Sequence, residues 1–297
     1  MSFGDFIKQF LPVSGATAVL GMAYKINTLS SGNFSVSLGD NTVTHLQFVF
    51  NSDLSITAKR GVGGTVLGST NPNVIDTNAG YCYIEFRSII NDTSGEATIR
   101  INGNTVLNLT SIDTQNGGTA GWTWFLVAGA GNNNGSSISV DDLYVLDGSG
   151  SSLNDFIGDT RIDAHYPVAN GTTSNSTPST GTDRSATIDE HPPNGDTDYN
   201  TLTAVGDLDT LSMQDLINTG TTPDAIQMLV YARKTDAGAG DIATALRHSG
   251  TNYFGSNVSL SDSAYRYAIS AYGLDPTGAA WTETSFNALE AGYKRTA

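Results

Sequence analysis

The feature that most limits what this chain can fold into is a run of short alternating segments broken by Gly, Asn and Asp turns. They read AVLGMAYKI (18–26), NFSVSLG (33–39), VTHLQFVF (43–50), LSITAKR (54–60), TVLGS (65–69), YCYIEFRSII (81–90), GEATIRIN (95–102), TVLNLT (105–110), WTWFLVAG (122–129) and SISVDDLYVL (137–146). Alternation with a period of two marks half-buried strands, and the turn residues between them end each one. Within ATIRINGNTVLNLT, Asn-Gly sits between two alternating runs, the strongest short-range signal of a hairpin. Ten such strands cannot bury their apolar faces in one sheet, so two stacked sheets or a barrel are expected.

Composition agrees. Charged residues make up 14% of the 297 positions, against about 25% in an average soluble domain. Small polar residues that favour turns are abundant, and long helical periodicity is absent. The net charge of −15 leaves no basic surface to neutralise phosphates, so no nucleic-acid partner is expected, and no anionic membrane surface. The single cysteine, Cys82, has no intramolecular disulfide partner and sits in a strand where a small buried hydrophobe fits. No segment approaches the ~20 apolar residues of a membrane span.

A composition shift at LDGSGSSLNDF marks a domain boundary at 149/150. One strand is expected near 160–166. After it, ANGTTSNSTPSTGTDRSATIDEHPPNGDTDYN reads as a polar connection, and YNTLTAV, DTLSMQDL, AIQMLVYARKT, ATALRHSG, TNYFGSNVSL and AYRYAISAYG follow as strands. Near the end Thr282 can cap a short helix with Glu283 in its first turn, placing Trp281, Phe286 and Leu289 inward before GYKRT returns as a strand. The expected fold class is therefore all-β: two β-sandwich, jelly-roll-like domains, 1–149 and 150–297, with a short helix near each chain end. The N-terminal helix is read from GDFIKQFL. Phe3, Phe6, Ile7, Phe10 and Leu11 fall largely on one helical face there, which suits an arm that docks on a partner.

LQFVFNSDLSITAKR, GYCYIEFRSIINDTSGEATIRINGNTVL and ISVDDLYVLDGSG resemble the concanavalin-A-like, laminin-G-like jelly-roll domains of bacteriophage structural proteins. The segments NDFIGDTRI, LVYARKTDAG and TGAAWTETSFNALEAGYK resemble the β-module that follows it in such proteins. The resemblance implies a virion component, a capsid decoration protein or a head or tail appendage. Its partners would be major capsid or tail proteins and further copies of itself, as a homo-oligomer of which a trimer is one form. It also implies an N-terminal sandwich that is trimmed or completed by a neighbour.

The chemistry-bearing residues fall in three places. In STPSTGTDRSATIDEHPPNGDTDY, carboxylates including Asp196 and Asp198 surround a histidine; they read either as a proline-stiffened acidic connection or as ligands of a hard cation such as calcium. In DDLYVLDGSG, Asp141, Asp142 and Asp147 carry the same two readings, a structural calcium ion or turn and surface residues. In GWTWF, strand alternation points Trp122 and Trp124 the same way, as core or as a platform for a host-surface glycan. No pair of carboxylates suited to glycoside hydrolysis, no G-x-S-x-G elbow and no phosphate-binding loop is present. A non-enzymatic structural role is the main expectation, and a carbohydrate-binding adhesin its alternative.

Overall fold

A computed structural model describes residues 6–28, 34–78, 80–128 and 137–297. The chain divides into two compact units, Met1–Ile162 and Asp163–Ala297.

The first unit contains eleven strands: β1 (Phe6–Gly15), β2 (Thr17–Thr28), β3 (Phe34–Asp40), β4 (Val43–Phe50), β5 (Ile56–Arg60), β6 (Thr65–Ser69), β7 (Cys82–Ile89), β8 (Gly95–Ile101), β9 (Asn104–Ile112), β10 (Trp122–Ala128) and β11 (Ser137–Leu146). They form two antiparallel sheets, ordered β1-β10-β3-β4-β5-β6 and β11-β2-β7-β8-β9. Alternate side chains of both sheets meet between them. Leu20, Met22, Phe48, Phe50, Ile84 and Phe86 are fully buried there, and the Phe48 and Phe86 rings lie 4.7 Å apart across the layer. Cys82 is buried in the same core.

β2 is buried on both faces. Leu20, Met22 and Tyr24 point into the sandwich, while Val19 and Ala23 pack with Tyr83 and Tyr144 on the other side. That double burial is why AVLGMAYKI reads as a nearly continuous apolar run. The cover on the outer side comes from residues 147–162, whose Phe156 and Ile157 pack on that cluster. The expected boundary at 149/150 therefore moves to Ile162/Asp163, because the segment after residue 149 covers the outer face of the first unit's own sheet.

The N-terminal helix is not formed. Residues 6–15 are a strand, pairing from Phe6 opposite Ala128 to Phe10 opposite Trp124. The register shifts between Phe10 and Gly15, the interval that holds Pro12. A proline cannot donate to a ladder and is accommodated on an edge strand at such an irregularity. The segment is thus built into the sheet rather than being a free helical arm. Phe3 and the side chains of Phe6, Ile7, Phe10 and Leu11 lie outside the described residues.

The second unit contains β12 (Pro167–Ser174), β13 (Thr177–Pro178), β14 (Asn200–Thr201), β15 (Leu208–Met213), β16 (Ile226–Ala232), β17 (Asp241–His248), β18 (Thr251–Phe254), β19 (Val258–Ser259), β20 (Arg266–Tyr272) and β21 (Glu290–Arg295). One sheet runs β12-β15-β21-β17-β18, with β19 beside β17, while β13–β14 and β16–β20 are separate two-stranded ribbons. The inner face of the β16–β20 ribbon carries Met228, Val230 and Ala268. They pack with Leu211, Ile242, Leu246 and Tyr293 of the large sheet. Helix α1 (Glu283–Asn287) follows the expected cap: Ser285 N–H donates to Thr282 Oγ1 at 3.1 Å, and Ser285 Oγ accepts from Thr282 N–H. Trp281, Phe286 and Leu289 are buried beside it.

No strand forms at 160–166; the strand starts at Pro167 and runs to Ser174, into the stretch read as a connection. Its apolar content is low, and side chains from elsewhere hold it. Glu290 accepts from Thr172 N–H at 2.9 Å and from its hydroxyl at 2.6 Å. Asp209, fully buried, accepts from the N–H groups of Asn175 and Ser176 and from the hydroxyls of Ser176 and Tyr293.

Candidate functional site

On the outer face of the five-stranded sheet, β7 and β11 frame a cleft of about 250 Å³ lined by Ala23, Tyr81, Tyr83, Asp141, Asp142 and Asp159. It is built on β2, where a glycine is required. Gly21 lies opposite Glu85 on one side and Tyr144 on the other, and a Cβ there would stand 2.1 Å from Cε1 of the Tyr144 ring. The absent side chain lets Tyr144 lie across the sheet, stacked with Tyr83 at 6.3 Å between centroids.

Glu85, 1% exposed, anchors this floor. Its Oε1 accepts from Tyr144 Oη–H at 2.7 Å and from Gly158 N–H at 2.8 Å. A buried carboxylate is tolerated only where its oxygens are satisfied in this way. Burial, and then the hydrogen bond to Glu85, push the Tyr144 phenol far above its usual range. Burial, and then the negative charges of Glu85, Asp142 and Asp159, do the same for Tyr83. Both phenols stay protonated and donate; Tyr83 gives its proton to the Asp142 carbonyl at 3.0 Å.

The rim is set by an irregularity in β11, whose register with β2 shifts between Asp141 and Tyr144. Asp142 takes a left-handed backbone there, φ 49°, a conformation that Asp adopts more readily than most residues. Its N–H donates to Asp141 Oδ1 at 2.9 Å, and its own Oδ1 accepts from Ile162 N–H at 2.8 Å. Asp141 and Asp159 are exposed, and the Tyr81 ring stands 55% exposed beside them. The cleft therefore offers a solvent-facing aromatic ring and three carboxylates over a rigid, hydrogen-bonded floor.

Of the residues singled out in the sequence, Asp141 and Asp142 come together here. Asp147 does not: its Oδ1 accepts from Ser149 N–H at 2.9 Å and from Ser149 Oγ at 2.7 Å, closing the Asp147-Gly148 turn. Among the described residues no three His, Cys, Asp or Glu side chains are grouped as metal ligands. Asp196 is taken by both Arg233 nitrogens and by Tyr265 Oη–H at 2.6 Å, and Asp198 accepts from Asn194. Asp147, Asp196 and Asp198 are thus taken up by structural contacts, whereas Asp141 and Asp142 stand in the cleft.

The tryptophan platform is also corrected. Trp122 is 1% and Trp124 3% exposed, so neither presents a face to a sugar. Nor do they share an environment. Trp122 joins Phe125 and Val127 in the inter-sheet core and donates to the Thr17 carbonyl at 2.8 Å. Trp124 covers Gly39, where a Cβ would lie 2.1 Å from its ring, and donates to the Asn41 carbonyl at 3.0 Å. Tyr81 and Asp159 escaped the sequence reading. Tyr81 precedes the first residue of a strand, and Asp159 lies in a segment with no regular structure to give it a face.

No protein-family model matches the sequence, and no curated protein does. Solved structures are similar over about half of the chain. A tetrameric galectin from the sponge Cinachyrella is 13% identical with a TM-score of 0.35, over 48% of this chain and 99% of that one. A carbohydrate-binding module from Bacillus subtilis is 12% identical with a TM-score of 0.33, over 49% of this chain and 83% of that one. An endo-β-1,4-glucuronan lyase from the fungus Trichoderma reesei is 11% identical with a TM-score of 0.36, over 48% of this chain and 73% of that one. None of these three is a phage protein. Similarity this distant carries no inference about a ligand. The expectation that the chain is no enzyme is nonetheless withdrawn, since a polysaccharide lyase stands beside the sugar-binding domains among the structures it resembles.

Proposed function

We propose that the first unit is a carbohydrate-binding domain and that it takes one sugar ring in the cleft beside Tyr81. The observation that carries this reading is an exposed tyrosine ring next to three carboxylates, two of them fixed by backbone hydrogen bonds. A pyranose presents an apolar face of C–H groups and a rim of hydroxyl donors. An aromatic ring meets the first, and carboxylate acceptors meet the second. The volume, about 250 Å³, lies just under the ~300–1,000 Å³ usual for ligand pockets, which suits a single ring or the end of a chain.

Charge selects within that class. Asp141, Asp142 and Asp159 repel uronates and sulfated sugars and favour neutral or amino sugars. On a glycan array the protein is expected to bind neutral or amino-sugar termini and to ignore polyuronates. Asp142→Asn is expected to weaken binding roughly tenfold, about 1.4 kcal/mol. Binding confined to polyuronates, or full binding by Asp142→Asn, would sink this reading.

A further inference from the structure

After β11 the chain runs from Asp147 to Ile162 with neither helix nor strand. It leaves β11 through Gly148 and Gly150, both with left-handed backbones, φ 66° and 79°. It then lies as a strap on the outer face of the five-stranded sheet.

The contacts of this strap are of a kind that can open without unfolding the sheet. Its apolar contacts there come from Phe156 and Ile157, only half-buried against Val19, Ala23, Tyr83 and Tyr144. Between the sheets, by contrast, Leu20 and Phe86 are fully buried. The Arg100 guanidinium lies 4.0 Å from the centre of the Phe156 ring, and Arg87 Nε stands 3.6 Å from the exposed Asp155. Strap amides donate to single side-chain atoms instead of to a backbone ladder: Ile157 N–H to Tyr144 Oη at 3.4 Å, Gly158 N–H to Glu85 Oε1 at 2.8 Å and Ile162 N–H to Asp142 Oδ1 at 2.8 Å. A segment with little fully buried apolar surface and no ladder belongs to the low-stability end of a fold.

The same strap carries part of the cleft. Asp159 is one of its three carboxylates, and Ile162 N–H holds a second, that of Asp142. With the strap lifted, Asp159 leaves the cleft and Asp142 loses the donor that orients it, while Tyr81, Tyr83 and Asp141 stay with the sheet.

We infer that residues 147–162 dock and lift as one unit, and that the docked strap is the sugar-binding form of the cleft. This rests on the sugar-binding reading given above. A ligand that touches Asp159 and Asp142 binds the docked form, so the effect is mutual. The sugar raises the docked population, and lifting the strap weakens the sugar in proportion to the fraction left docked.

Residue-resolved amide hydrogen exchange of the full chain, with and without the neutral or amino sugar that binds best on an array, tests this. The Gly158 and Ile162 amides are bonded to different strands, yet they are expected to open at one common equilibrium, before the amides of β7. Phe156→Ala combined with Ile157→Ala removes the two half-buried side chains and changes none of the three carboxylates or Tyr81. It is expected to speed exchange at both amides by the same factor, about tenfold or more, with β7 and β8 unchanged, and to lower sugar affinity several-fold. Saturating sugar is expected to restore protection at both amides, and Phe156→Tyr, which keeps a ring under Arg100, to behave as wild type. Tyr81→Ala is expected to lose affinity with strap exchange unchanged, which separates contact from positioning. Four results would each overturn the inference and leave the carbohydrate reading intact: unequal factors at the two amides, strap opening only together with β7, sugar binding that protects neither amide, or full affinity in a double variant whose strap amides are unprotected. A wild type that binds no sugar would overturn the carbohydrate reading, and the coupling with it, even where the two amides still open together.

Discussion

Glu85 shows how much of the cleft hangs on single residues. Replacing it by alanine leaves the Tyr144 hydroxyl and the Gly158 N–H without their acceptor, at about 1–3 kcal/mol for each unsatisfied group. Glu85→Gln keeps an acceptor oxygen in place and is expected to cost clearly less than Glu85→Ala in urea unfolding of the first unit. Equal losses would mean that the two hydrogen bonds do not hold the floor. Gly21→Ala is expected to cost about 1–3 kcal/mol, the usual range for overpacking, because the added methyl meets the Tyr144 ring. His45 sets a pH dependence. It is buried, its Nδ1 accepts from Asn116 N–H at 3.1 Å, and burial lowers its pKa below 6.5, against a smaller opposing pull from Asp40. As pH falls below 6.5 the unfolded chain takes up a proton that buried His45 refuses, so stability is present above that value and is lost below it. Urea midpoints at pH 7.5 and 5.5 are expected to differ in the wild type, with the difference reduced in His45→Gln.

At the scale of elements, strands with an apolar face were legible and strands held by polar side chains were not. β4, β7, β8 and β10 fall within a residue or so of the runs read from alternation, because each has one face in the core. β12 was missed because hydrogen bonds accepted by Glu290 within it, and by Asp209 from Asn175 and Ser176 just after it, hold it in place of apolar contacts. Asp209→Ala removes the acceptor of four such bonds from a fully buried position. It is expected to destabilise the second unit by about 3–5 kcal/mol, whereas Thr282→Ala, which removes only the cap of α1, is expected to cost about 1 kcal/mol. Thermal unfolding of the two variants gives the ranking. Phe3, Phe6, Ile7, Phe10 and Leu11 fit a helical face by spacing, and the pairs Phe6-Ile7 and Phe10-Leu11 around Lys8-Gln9 do not alternate as a strand would. A free sheet edge at β10 decides between the two readings, and no local pattern reports that edge. Asp141 and Asp142 were legible as unusual, but their place in a cleft depends on Tyr81, just before β7, and on Asp159, which the packing of 147–162 brings to them.

At the scale of the whole molecule, two β-units carry two different surfaces, each described within its own unit. The first has an acidic cleft with an exposed ring, and the second an apolar ribbon face where Leu229 and Ile269 are exposed. A virion location, with capsid or tail partners, rests on the resemblance read in the sequence, and the cleft does not depend on it. Calorimetric titration of the intact protein with the neutral or amino sugar that binds best on an array, repeated with Tyr81→Ala, tests the central claim most directly. The account predicts one site per chain and at least a tenfold loss of affinity, about 1.4 kcal/mol, in a variant with unchanged circular dichroism. Undiminished affinity in Tyr81→Ala would contradict it.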